Sequence, residues 1–243
     1  MLWKRLLAGS VIASGLFVGL VGFAHTKPGR PLRPMLVVLN KAMGAQPQAK
    51  GGACPLGYDQ GGTPADMEAA RQRSVAQFKG ATPSPTRPAL AFTLGKTSRQ
   101  QTEGWAKEHG VSCNAKQGPL RLTCAAVPAS ALPAPLGALG ADEIYFQFDP
   151  SGLLVSVGTV RSSQDPQLAA DAQDAIVREL TRQLGAPSSS RGEPGVAYLQ
   201  GGLLRQARAE FRFSDYYATS SATSVGRGRF VISERYELLA DGS

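Results

Sequence analysis

Histidine and cysteine are scarce in this chain: its 243 residues hold two of the first and three of the second. Neither His25 nor His109 sits in a His-Glu-x-x-His pair or beside a Gly-x-Ser-x-Gly serine, because neither motif occurs. Zinc-hydrolase and serine-hydrolase chemistry therefore lack their residues. A phosphate-binding loop is missing too. Leu94-Gly95-Lys96-Thr97 imitates its end, but Leu90 stands where the opening glycine would be needed for backbone N–H groups to wrap a phosphate. The short segment reads instead as the start of a helix, with Thr97 paired to Gln100 or Ser98 to Gln101 in a capping box.

Acidic residues are absent from Met1 to Ala53, where seven cations (Lys4, Arg5, Lys27, Arg30, Arg33, Lys41 and Lys50) carry +7. The remainder holds 19 cations and 18 anions, so the formal charge of +8 belongs almost wholly to the N-terminal segment. Phosphate-backbone binding needs clustered Lys and Arg on a folded face, and a neutral folded part gives no such face. Nucleic acid is not an expected partner.

Within the basic segment, Leu6 to Ala24 is 19 residues long and uncharged. As a helix it measures about 28 Å, one bilayer core, with Trp3 as an interfacial anchor. The length favours an uncleaved anchor over a signal peptide, whose apolar region is about 7 to 15 residues, although Gly22-Phe23-Ala24 offers a small-x-small cleavage site. Residues 1–25 are thus expected to form a transmembrane anchor or a signal peptide, and 26–62 a basic connector rich in proline and glycine. Cations flank the run on both sides, so charge alone does not orient it.

Cysteine usage bears on the compartment. Cys113 and Cys124 enclose a segment whose Asn, Gly and Pro suit a turn between extended arms. A disulfide there requires an oxidising compartment; two buried thiols are the alternative. Cys54 has no apolar stretch leading into it, which excludes lipidation. His109, Cys113 and Cys124 would lack a fourth ligand nearby, so neither a metal nor a cofactor is expected. The expected location is the bacterial inner membrane, crossed once by residues 6–24, with the domain in the periplasm; cleavage near Ala24 would instead secrete it.

The rest of the chain is patterned. Thr63 and Pro64 open a helix running toward Gly80, with Met67, Ala70, Ser74 and Phe78 on one face and Val75 beside it. A proline-rich spacer follows, so 63–89 reads as helix plus spacer and 90–239 as an α+β domain. Leu90 to Leu94 reads as a strand, and a second helix reaches His109. Ile144, Phe146 and Phe148 alternate with polar residues before an Asp149-Pro-Ser-Gly152 turn and a returning strand. Asp165 and Pro166 begin a helix ending at Gly185, with Leu168, Ala172, Ile176, Leu180 and Leu184 on one face. Ala207 to Phe213 alternates, Phe230 to Leu238 is a last strand, and the polar run Thr219 to Ser224 reads as part of a long turn. Twice a helix ending in Gly precedes strands, an order with no residue-level repeat behind it. The fold class expected is α+β, an antiparallel sheet with helices packed on one face, preceded by an N-terminal transmembrane helix.

Carboxylates do not suggest catalysis. Asp142 and Glu143 point to opposite faces of a strand, and Asp149 bonds its own turn. Asp215, Tyr216 and Tyr217, with Arg208 and Arg212 on the polar side of the preceding strand, form the candidate partner surface, since tyrosine supplies rigid amphipathic area.

The segment LGKTSRQQ from Leu94, the cysteine loop, and IYFQFDPSGLLV from Ile144 resemble, in this order, the small helix-then-meander domains of the SmpA/OmlA outer-membrane assembly lipoproteins and the β-lactamase-inhibitor-like fold. The match covers about a third of the chain, which departs from those proteins in lacking a lipobox. The resemblance implies a non-catalytic envelope domain that binds another envelope protein. A module for a small or lipidic ligand is the alternative, and it requires a closed apolar pocket between helices and sheet.

Overall fold

The structure, a computed structural model, describes residues 63–115, 120–134, 139–193 and 195–239. The expected membrane span and basic connector lie outside them, as does Cys54. Among the described residues no helix is long and apolar enough to cross a membrane.

The chain forms an α+β fold around one eight-stranded antiparallel sheet. After helix α1 (Pro64–Val75) and a 3-10 turn (Ala76–Phe78) come a small hairpin, β1 (Pro88–Ala89) and β2 (Phe92–Thr93), and helix α2 (Arg99–Glu108). Strands β3 (Ser112–Asn114), β4 (Arg121–Val127), β5 (Ala141–Phe148) and β6 (Leu154–Ser163) follow as a meander. Helix α3 (Pro166–Leu184) then leads to β7 (Ser189–Arg191), a short helix α4 (Val196–Gln200), β8 (Gln206–Arg212), β9 (Tyr216–Gly226) and β10 (Arg229–Leu238). The strand order is β3-β4-β5-β6-β10-β9-β8-β7.

That order means the chain makes the same unit twice, a helix followed by a four-stranded meander. The two units join last strand to last strand. Because β6 and β10 pair antiparallel and α2 and α3 lie on the same face, the topology is that of a two-fold axis normal to the sheet. The elements are built locally as the sequence suggests. Thr63 and Asp66 make a capping box on α1, Ser98 and Gln101 make one on α2, and the Asp165 carboxylate accepts from the Gln167 and Leu168 N–H groups at the start of α3.

Register sorts the residues by face. Ile144, Phe146 and Phe148 on β5, Ala207, Ala209 and Phe211 on β8, and Phe230 and Ile232 on β10 are buried under α2 and α3. Phe92, Trp105 and Phe146 meet edge to face, with centroids 5.2 to 6.1 Å apart, and seat α2 on the first unit. Cys113 and Cys124 are directly opposed across β3 and β4 and joined by a disulfide.

Three expectations need correction. Leu90 to Leu94 is not one strand: Leu90 takes a left-handed conformation (φ 58°) and turns the chain between β1 and β2. The polar run Thr219 to Ser224 is not a turn but the body of β9, and the connection to β10 is the tight Gly226-Arg227-Gly228, whose three residues all have positive φ. Finally, helices cover both faces. Val75 and Phe78 pack with Tyr217 and Leu239, on the side of the sheet away from α2 and α3.

The seam between the units is ionic. Arg161 on β6 and Glu234 on β10 are both fully buried on the inner face, with 2.7 Å between Nη2 and Oε1. Glu234 also accepts from Thr159 Oγ1 (2.9 Å) and Tyr236 Oη (2.5 Å), and Arg161 Nη1 donates to the Leu139 carbonyl (2.7 Å). Burial, and then the neighbouring Glu234 carboxylate, push the Tyr236 phenol well above its ordinary range.

Glu234→Ala leaves Arg161 buried without its counter-charge and is expected to destabilise by about 3–5 kcal/mol, whereas Arg161→Met with Glu234→Leu recovers more than half of that loss. Urea unfolding of the two variants checks it; equal losses would contradict the assignment. The disulfide spans 11 residues, so reduction is expected to cost about 2–3 kcal/mol. Thiol titration of the unreduced, unfolded chain is expected to count one free thiol, Cys54.

Candidate functional site

The candidate partner residues divide: Asp215 precedes β9, Tyr216 is on its inner face, and Tyr217 is on its outer face with Arg208 and Arg212 of β8. Asp215 and Tyr216 are buried fasteners and not an exposed surface, contrary to the expectation. Tyr217, Arg208 and Arg212 do come together, on the outer face of the sheet, although Tyr217 is itself covered.

Asp215 holds the spacer that follows α1. Its carboxylate accepts from the Ser84 N–H (2.7 Å) and from Nε (2.9 Å) and Nη2 (2.6 Å) of Arg87. The neighbouring Tyr216 Oη donates to the Pro88 carbonyl at 2.5 Å. The Gly80 N–H donates to the Phe213 carbonyl (2.9 Å) and the Ser214 N–H to that of Thr82 (2.8 Å), so residues 80–88 are strapped across the end of the sheet. Glycine is required at 80, because a Cβ there would lie 2.2 Å from the Arg212 carbonyl oxygen. Burial opposes ionisation of Asp215, but the Ser84 N–H and Arg87 outweigh it and hold the carboxyl below its usual range.

On the outer face Tyr217 is the centre of an aromatic and cationic cluster. Phe78 stacks on its ring, with centroids 4.5 Å apart and planes 15° apart. The guanidinium groups of Arg212 and Arg235 lie 6.0 and 5.5 Å from the Phe78 centroid. Arg208 donates to Tyr217 Oη at 3.0 Å, and Glu210 pairs with both Arg208 and Arg212. Glu237 takes Arg71 of α1 at 2.8 Å and Arg235 at 2.8 Å. Arg71 is 1% exposed and also makes two bonds of 2.8 Å to Glu68. The chain's own α1 is therefore seated on the outer face by one aromatic ring and one buried guanidinium.

Beyond α1, no other described helix packs on that face. Tyr145 on β5 is 40% exposed and lies over Gly158 on β6, with a hollow of about 180 Å³ beside it that Arg121, Thr123, Gln147 and Ser156 help to line.

Other candidates resolve into structural roles. Gly95 donates to the Leu154 carbonyl (2.8 Å) and Thr97 Oγ1 accepts from the Thr93 N–H (3.0 Å), so this segment stitches α2 to β6. His109 Nδ1 lies 2.9 Å from the Trp105 carbonyl oxygen at the end of α2. Cys113 and Cys124 are bonded to each other and leave no thiolate for a metal. Among the described residues no three His, Cys, Asp or Glu side chains gather to hold a metal ion. A cleft of about 690 Å³ beside the β1–β2 hairpin is lined by Ser84, Thr86, Arg87, Lys96 and Gln183 as well as apolar residues. It is open to solvent and polar, not the closed apolar pocket that a lipid carrier needs.

Arg71, Arg235, Glu237 and Tyr145 were not singled out in the sequence, and Phe78 was read as a packing residue and not as part of a site. Phe78 falls on the expected face of the first helix, and that was the available signal; a charged Arg71 on the buried side gave none. Comparison with protein-family models, curated proteins and solved structures gives no match.

Because its folded-state carboxyl is lowered, Asp215 contributes stability above the unfolded value of about 3.9 and loses it as pH falls through the folded value. Asp215→Asn is expected to be less stable than the wild type at pH 7 by about 1–2 kcal/mol, Arg87 being partly exposed. Its urea midpoint is expected to fall less steeply than the wild type's below about pH 4. Parallel curves would remove Asp215 as the acid-sensitive fastener.

Proposed function

We propose that this chain is a membrane-tethered, extracytoplasmic, non-catalytic domain that binds another envelope protein on the outer face of its sheet. The tether is the apolar run at residues 6–24, and the domain stands in the periplasm, where the Cys113–Cys124 bridge is stable. A helix-then-meander order, made twice, supports the resemblance to the SmpA/OmlA and β-lactamase-inhibitor-like domains.

The observation that carries the reading is the seating of α1. An aromatic ring stacked on Tyr217 between Arg212 and Arg235, with an arginine delivered to Glu237, is how this face already holds a polypeptide segment. Stacked aromatics and desolvated arginines are the side chains that dominate protein–protein binding energy. The uncovered part of the same face offers Tyr145, a large ring over a glycine, beside a shallow hollow. Its remaining positions there are mostly small or polar, so a partner meets a flat surface with one anchor and several hydrogen-bonding groups.

Photo-crosslinking in cells that export the full chain tests this. A crosslinker replacing Tyr145 is expected to give a discrete protein adduct, at least ten times stronger than one replacing Arg178 on the exposed side of α3. Adducts of equal strength from the two positions, or adducts from Arg178 alone, would move binding off the outer face.

A further inference from the structure

Three of the exposed large apolar side chains of the described residues meet at one end of the sheet. The loop from α4 into β8 carries Leu203 and Leu204, each 69% exposed, and the end of β9 carries Val225, 41% exposed. Scattered surface leucines need no explanation, but a contiguous group is uncommon on a soluble domain. β9 runs the whole width of the sheet, so this tip lies about 33 Å from the Asp215 strap.

The tip is built. The Leu204 N–H donates to the Ser224 carbonyl at 2.8 Å, and the Ser224 N–H donates to the Arg205 carbonyl at 2.9 Å, which prolongs the β8–β9 ladder into the loop. Leu204 is held with φ at 59°, a conformation unfavourable for a leucine, while its side chain stays in water. Leu203 Cδ1 lies 3.0 Å from where a Cβ on Gly226 would stand, so glycine in the β9–β10 turn leaves it room.

Three cations adjoin the apolar group in the same loop and turn. Arg205, Arg227 and Arg229 are all exposed. Among the described residues none of the three forms an ion pair with a carboxylate, whereas Arg87, Arg178, Arg182, Arg208, Arg212 and Arg235 all do. The Arg205 guanidinium sits 5.4 Å from the centroid of Tyr198, and Arg229 reaches Ser162 Oγ at 3.3 Å, through which Asp142 lies nearby.

We infer that this tip docks the domain onto an anionic lipid surface, Leu203, Leu204 and Val225 entering the headgroup boundary while Arg205, Arg227 and Arg229 meet lipid phosphates. Leucines ringed by arginines without carboxylate partners match that boundary in both polarity and charge. A protein pocket for leucines would need its own carboxylates to answer the same three cations.

The experiment uses the full chain with Cys54→Ser and Leu203→Cys, the new thiol carrying an environment-sensitive fluorophore, reconstituted in phosphatidylcholine vesicles with or without about one third phosphatidylglycerol. In the anionic vesicles the emission is expected to shift to the blue and at least double in intensity. In neutral vesicles, with Arg205, Arg227 and Arg229 all changed to Gln, or with the label at Gln100 on α2 instead, no change is expected. A label that stays in water in both protein-free vesicles overturns the inference. Shielding seen only in native membranes, and not in vesicles of their extracted lipids, overturns it too and assigns the tip to a protein. Co-flotation of the chain with neutral vesicles reports the tether separately, so the tether and the tip fail independently.

Discussion

A desolvated ion pair, Arg161 with Glu234, sits in the core where the two halves of this protein become one sheet. Backbone hydrogen bonds between β6 and β10 would form almost equally well in several registers, because every strand offers the same repeating donors and acceptors. Arg161 and Glu234 remove that freedom. A slip of one residue turns every side chain of a strand to the opposite face, which would leave one of these charges in the core and send the other to the far side. The penalty for a lone buried charge is far larger than that for exchanging one hydrocarbon contact for another. Thr159 extends the same constraint, since its hydroxyl on β6 reaches Glu234 across the seam in this register, while Tyr236, on β10 with Glu234, donates to it from within the strand.

Once the seam is set, the helices have to fit the two units differently. Over the first unit α2 is spaced by large rings, with Trp105 between Phe92 and Phe146. Over the second unit α3 turns Ala169, Ala172 and Gln173 to strands whose inner positions include Ala218, Ser220 and Ala222. Small facing residues let helix and strand approach closely, and polar Gln173 is accommodated because it exchanges hydrogen bonds with the Ser220 side chain and carbonyl.

This explains what the sequence made legible. β5 was readable because its phenylalanines alternate with polar residues, β6 because it returns from the Asp149–Gly152 turn, and α3 because Asp165 caps a run of regularly spaced apolar residues. β9 was not, because its inner face is alanine and serine, and a hydrophobicity pattern is blind to a strand buried through small size. Asp215 and Tyr216 were misjudged for a related reason. Their polarity suggested water, but their partners, Ser84, Arg87 and the Pro88 carbonyl, lie some 130 residues away in sequence. The grouping of Tyr217 with Arg208 and Arg212 did survive, since alternation along neighbouring strands places them on one face. What local pattern could not supply was the place where Phe78 and Arg71 dock, against Tyr217 and Glu237 on strands far along the chain.

The place of β10 has a consequence for how such a chain is made. It is the last strand of the sheet to be synthesised, yet it lies in the middle. Until it arrives, β6 and β9 are both unsatisfied edges, each with a row of open backbone donors and acceptors. A nascent or exported chain stopped at Arg227 would therefore hold two partial meanders with nothing to join them, and two surfaces ready to pair with another copy. Completion of the sheet therefore rests on the ten residues of β10, Arg229–Leu238, and a stop codon just before them would be as damaging as one in the first meander.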